Sequence, residues 1–282
     1  MKRSFYAGKY AILSGVLAFV FFTSLSCMHT SRPSTLKGNA KSHYDNGIAL
    51  FEKDEYEKAM TEFSKVIELE PYYGLAYLNR GNSYFNLKQW DLAIKDFSKV
   101  IELAPRYGET YFNRGLTYAT KDEHDLAIKD YNSAIKYRFR EAKVYAYRGR
   151  SYEIKQEWDK AVRDFTSALK EDKNHTDVLF YRGFVYANTK QWDNCIKDLS
   201  VFIEASPGYA EAYHYRGYAY HNKGEYDKAI SDYNKAIGLN PDLADVYYLR
   251  LHAYRTIGEP EKAQKDLESA KRLNPEKYGN IE

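Results

Sequence analysis

An Arg-Gly pair recurs through the chain at a fixed interval: Arg80-Gly81, Arg114-Gly115, Arg148-Gly149, Arg182-Gly183 and Arg216-Gly217 each follow the last by 34 residues, with Asn46-Gly47 before them and Arg250-Leu251 after. A fixed period of this length means that one supersecondary unit is copied, each copy burying its apolar face against its neighbours. The stretch from Tyr77 to Pro105 displays the unit most clearly. Tyr77, Gly81 and Tyr84 share one helical face, a polar turn follows, and Ala93, Phe97 and Val100 mark a second face, so the unit is two antiparallel helices. Pro71, Pro105, Pro207, Pro241 and Pro275 end their units because proline cannot continue a helix; units three and four carry Phe139 and Lys173 there. Glycine inside a helix costs about 1 kcal/mol against alanine, a cost that close approach of two helices explains.

The series Tyr77, Gly81, Tyr84, Ala93, Phe97 and Pro105 resembles the pattern of the tetratricopeptide repeat family, and the resemblance holds over residues 40–277. It implies an all-α fold, a right-handed superhelical solenoid of antiparallel helix pairs. The seven units are 40–73, 74–107, 108–141, 142–175, 176–209, 210–243 and 244–277, with 278–282 as a C-terminal tail. A solenoid grows in one dimension, so the array is expected to be one cooperative body. In the last unit Gln264 and Lys271 replace apolar pairs such as Ile94 with Ile101, which makes repeat seven its own cap; Ser42, His43 and Asn46 mark the other end.

Residues 1–27 read as a basic head, an apolar run from Tyr10 to Phe22 and a small-residue end at Cys27. This is the form of a secretion signal, and the run is short of the roughly 20 apolar residues a spanning helix needs. Ser24-Leu25-Ser26-Cys27 resembles the lipobox of bacterial lipoproteins, in which the cysteine becomes the acylated N-terminus; Ser24 stands where that family usually has Leu. The alternative is an ordinary signal peptide cleaved near a cysteine. The expectation is a signal peptide over 1–26, lipid on Cys27 and a flexible tether through residue 39. The repeats would then lie in the cell envelope, anchored to a membrane and facing away from the cytoplasm, in the periplasm or on the surface. The formal charge of +3 is carried by that leader through Lys2, Arg3 and Lys9, and its removal leaves a formally neutral chain. Nothing global recruits nucleic acid or acidic lipid.

Arg80, Arg114, Arg148, Arg182, Arg216 and Arg250 are each followed sixteen residues later by Asp96, Asp130, Asp164, Asp198, Asp232 and Asp266. A matched acid for every base favours ion pairs between the two helices over a basic ladder for an anion. Trp90, Trp158 and Trp192 share one repeat position, which marks them as scaffold. Cys195 falls where the other units have alanine, so it is a small core residue, and with Cys27 acylated no disulfide is implied.

No phosphate loop, dinucleotide fingerprint, zinc-protease motif, metal-spaced cysteine pair or nucleophile elbow is present, so neither an enzyme nor a cofactor is expected. His214, His221 and His252 form a small constellation whose commoner explanation is unliganded surface histidine. The resemblance implies that the first helices line a groove for an extended peptide or partner protein. A family subset clamps a terminal carboxylate at positions that here hold Leu78, Asn82, Asn113, Lys143 and Tyr147; two of the expected cations are missing, so that ligand is not expected. The groove positions of repeats five to seven hold Phe180, Tyr181, Phe184, His214, Tyr215, Tyr218 and Tyr248, with Asp177, Glu211 and Asp245 bordering them. The expected function is a non-catalytic scaffold binding an apolar or aromatic segment with basic flanks. The rival is a structural or accessory subunit of an outer-membrane biogenesis, secretion or peptidoglycan assembly, docking through the convex face. Neither nucleic acid nor a small-molecule substrate is expected.

Overall fold

A computed structural model describes residues 36–281. The expected signal peptide, the acylated Cys27 and most of the tether lie outside the described residues. Fourteen helices run in consecutive pairs, and no strand occurs among the described residues. The pairs are α1 (Gly38–Phe51) with α2 (Tyr56–Leu69), α3 (Gly74–Asn86) with α4 (Trp90–Leu103), α5 (Gly108–Thr120) with α6 (His124–Lys136), and α7 (Ala142–Ile154) with α8 (Trp158–Glu171). They continue as α9 (Asp177–Asn188) with α10 (Trp192–Ala205), α11 (Ala210–Asn222) with α12 (Tyr226–Leu239), and α13 (Ala244–Thr256) with α14 (Pro260–Leu273); a single turn, α15 (Pro275–Tyr278), follows. Every second helix opens with an acid in its first turn, from Glu57 in α2 to Glu261 in α14, where it complements the positive end of the helix dipole.

The residues group into two compact units. One runs to Lys121 and takes in Ser133–Arg138; the other takes Asp122–Asn132 and everything from Phe139 onward. In the second unit α7 approaches α9, α9 approaches α11 and α11 approaches α13, whereas α8, α10, α12 and α14 do not approach one another. The first helices therefore line the inner side of that unit and the second helices its outer side.

Inside each pair the repeated glycine sets the distance between helices. A Cβ at Gly81 or Gly217 would stand 2.8 Å from the ring of Phe97 or Tyr233. The last pair has Leu251 in that place, and the facing residue shrinks to Leu267. Alanines at the second-helix position, from Ala59 to Ala229, are fully buried. Cys195 is buried among them, and burial pushes its thiol up to about 12, so it is an inert core residue.

The arginines are bound as the spacing predicts, and more tightly. Arg80, Arg148, Arg182, Arg216 and Arg250 each grip both oxygens of the aspartate sixteen residues on, at 2.6–2.9 Å. The remaining guanidinium nitrogen reaches sixteen residues back, to Ser64, Asn132, Thr166, Ser200 and Asn234, and Arg114 reaches Ser98 in the same way. Arg80, Arg148, Arg182, Arg216 and Arg250 thus each tie their own helix to the second helices of two successive repeats. Tyrosine rings flank the guanidinium: Tyr77 and Tyr84 stand 5.5 and 5.8 Å from Arg80.

At the C-terminus Gln264 is exposed, but the cap extends beyond repeat seven. Tyr278, which the sequence places in the tail, is 2% exposed and packs on Ala244 and Ala270, while Ile281 meets Leu251 and Leu267.

Candidate partner-binding face

The inner helices of the second unit carry a run of aromatic side chains at helical spacing. Phe180, Tyr181 and His214 are buried, whereas Phe184, Tyr215, Tyr218 and Tyr248 are half-buried. The difference follows from direction: Phe180 turns toward the end of its own repeat and meets Tyr209 edge-on at 4.9 Å and Phe202 at 5.4 Å. It is packing within the repeat, with Tyr209 supplying a ring to the face that periodicity alone missed, because it lies in the loop before α11.

Tyr215 is the centre of the run. Phe184 meets it edge-on at 5.0 Å, His214 stacks on it at 4.8 Å and Phe180 stands 6.2 Å away. Tyr218 rests edge-on against Trp192 at 5.6 Å, so that tryptophan supports the face from the second helix. Further along, Tyr248 meets His252 edge-on at 4.6 Å and stacks on Tyr278 at 4.7 Å. Rings held by rings lose little rotamer freedom when a ligand covers them, which favours binding by aromatic contact.

Charge is distributed unevenly over this face. Arg150 lies 4.0 Å above the ring of Tyr181 and pairs with buried Glu153. Asp245 accepts from Lys277 at 2.8 Å and from the Tyr278 hydroxyl at 2.5 Å. Asp177 and Glu211 form no ion pair among the described residues. Burial holds Asp177 above the usual carboxylate range, and His175 opposes it.

The histidines do not assemble into a ligand set. Burial pushes His214 down to about 4, with Asp245 opposing, and pushes His221 and His252 down as well. Among the described residues no group of three or more His, Cys, Asp or Glu side chains could hold a metal ion. The positions of the family's carboxylate clamp are likewise occupied. Leu78 and Asn82 are buried, Asn113 donates to Asn82 at 3.2 Å, Lys143 pairs with Glu141 at 2.7 Å, and burial pushes the Tyr147 hydroxyl up to about 12.

Known proteins agree with the fold. The tetratricopeptide repeat models match residues 74–107 and 210–243, 108–140 and 244–277, and 177–209, and a further TPR repeat model matches 47–88. The pair α7–α8 lies between the matched spans, where Lys173 replaces the closing proline. No curated protein matches the chain. Among solved structures it is similar to YrrB, a TPR protein with an unusual peptide-binding site, at a TM-score of 0.61 and 24% identity over 68% of this chain and 97% of that one. It is also similar to a tetratricopeptide repeat protein from Parabacteroides merdae, at 0.60 and 18% over 84% and 93%, and to MamA from Desulfovibrio magneticus, at 0.57 and 18% over 62% and 98%. The repeated models, the paired helices and the glycine and arginine register agree: the chain belongs to the tetratricopeptide repeat family.

Proposed function

We propose that this protein is a non-catalytic scaffold, lipid-anchored through Cys27 in a bacterial cell envelope, that binds an extended segment of a partner protein along the inner aromatic face of α9, α11 and α13. The observation that carries the reading is the half-buried run Phe184, Tyr215, Tyr218 and Tyr248, held in place by Trp192, His214 and Tyr278. Aromatic anchors of this kind often cost more than about 1 kcal/mol each when truncated at an interface. Repeats of this family bind proteins or peptides, and the solved relative YrrB has a peptide-binding site of its own. The export signal and the lipobox-like Ser24–Cys27 support the envelope assignment. One acyl chain anchors only marginally, so the mature N-terminus would carry more than one.

Two experiments separate the parts. Labelled palmitate is expected to enter the wild type and not Cys27→Ser, which should leave the membrane fraction; equal labelling of both would remove the lipid anchor. Phe184→Ala with Tyr218→Ala is expected to abolish retention of the native partner while circular dichroism and melting stay near wild type. Retention at full strength would move the site elsewhere, and collapse of the fold would make the rings core.

A second reading, docking of the outer side in an envelope assembly, is favoured by the exposed Leu92, Leu126, Val201 and Leu239 on second helices. They are single residues on different helices, so the inner face leads.

A further inference from the structure

The chain holds its own basic side chains in one kind of cage, a carboxylate flanked by tyrosine rings. Arg148 grips Asp164 with Tyr145 and Tyr152 at 5.8 and 6.0 Å, and Arg250 grips Asp266 with Tyr247 and Tyr254 at 5.5 and 5.6 Å. The last repeat repeats the arrangement with a segment from outside the helix pair. Lys277 and Tyr278, a basic residue next to an aromatic one, dock on Asp245 and Tyr248, the ammonium 2.8 Å from the carboxylate and the rings stacked at 4.7 Å.

One and two repeats earlier the positions of Asp245 are taken by Glu211 and Asp177. Tyr209 stands beside Glu211 and Tyr181 beside Asp177, the Tyr181 ring also carrying Arg150 at 4.0 Å. Neither carboxylate pairs with a cation of the described chain. A helix N-terminus tolerates an acid in its first turn. In the same register α5 has Glu109 and α7 has Lys143, and the next three first helices have Asp177, Glu211 and Asp245, so acid predominates with Lys143 the one exception. A ligand cation here would meet negative charge and ring faces together, the combination that binds Arg best.

We infer that the inner face of α9 and α11 selects a partner segment carrying Lys or Arg next to an aromatic residue, the cation between Asp177 and Glu211 and the aromatic ring on Phe184, Tyr215 and Tyr218. This rests on the peptide-binding reading above. The selectivity is opposite to that of the carboxylate clamp, whose ligand brings negative charge.

The test is selection of a random dodecapeptide library on the intact mature chain, followed by fluorescence anisotropy of the best binder and its Arg→Gln and Lys→Gln analogues. Enrichment of basic residues within a few positions of Phe, Tyr or Trp is expected, with the Gln analogue about tenfold weaker. Asp177→Asn with Glu211→Gln should erase that difference while the Gln analogue binds as before and the melting temperature holds. Glu211→Lys should turn the preference toward a Glu analogue. If basic and Gln peptides bind wild type equally, or the preference survives in Asp177→Asn/Glu211→Gln, the selectivity is overturned. Loss of that equal binding in Phe184→Ala/Tyr218→Ala would leave the peptide-binding reading standing. If no sequence is enriched over the bare support, both fall.

Discussion

Tyr233 is fully buried with a hydroxyl that has no hydrogen-bond partner. The same repeat position holds Phe63, Phe97 and Phe165 elsewhere. Removing an unsatisfied buried hydroxyl recovers its desolvation cost, so Tyr233→Phe should stabilise the chain by about 1 kcal/mol, read from a denaturant midpoint. His214 is a second residue whose burial has a measurable cost. Its imidazole is held at about 4 against an ordinary 6.5, so on acidification the unfolded chain takes up the proton first. Stability present above pH 6.5 is then lost as pH falls toward about 4, by about 3 kcal/mol at most. His214→Phe, which restores the residue type of Phe180, should flatten that part of the pH profile; an unchanged profile would place the imidazole in water. The arginine ladder was half legible in the sequence. A spacing of sixteen pairs each Arg with its Asp, but Ser64, Asn132, Thr166, Ser200 and Asn234 look like ordinary solvated positions until the guanidinium is seen reaching back to them.

At the scale of the helix pair the turn between the two helices holds the strain. Asp54, Lys88, Asp122, Gln156 and Lys190 occupy the left-handed region with φ of 58–66°, where the last two full repeats have Gly224 and Gly258. A non-glycine residue pays about 1 kcal/mol or more for that conformation, partly offset because glycine is freer in the unfolded chain. Gln156→Gly and Lys190→Gly should therefore each raise the melting temperature slightly, and Gly224→Ala should lower it. The ladder binds at the same scale. Arg148→Leu and Asp164→Leu should each cost about 3 kcal/mol by leaving a buried charge alone, and the double change should cost less than their sum, with coupling of about 0.5–3 kcal/mol. Strict additivity would remove the pairing. Helix limits were readable from the sequence because the acid of the first turn opens every second helix and proline closes five of the seven copies. The left-handed residues were not, since Lys and Gln carry no turn signature.

Over the whole molecule the periodicity disclosed the repeat count and left two things hidden. The grouping into two compact units breaks within α6, next to the repeats that lack the closing proline, and no residue pattern announces it. The cap was hidden because Tyr278 falls after the last full period; its burial against Ala244 and Ala270 means that Tyr278→Ala should cost about 3 kcal/mol and loosen the final pair first, seen as faster amide exchange in α13 and α14. The inner face was legible as a set of positions but not as a surface. Phe180, Tyr181 and His214 share its register yet are buried, because Phe180 packs on Phe202 and Tyr209 of its own repeat, Tyr181 on Phe165 of the preceding one and His214 on Tyr215. What remains exposed is the part centred on Phe184, Tyr215 and Tyr218, and the most direct measurement is photocrosslinking from single positions in intact cells. A photoreactive aromatic residue at Tyr218 is expected to yield one discrete partner adduct, and the same residue at Val201 on the outer side none. A discrete adduct from Val201 with none from Tyr218 would contradict the account.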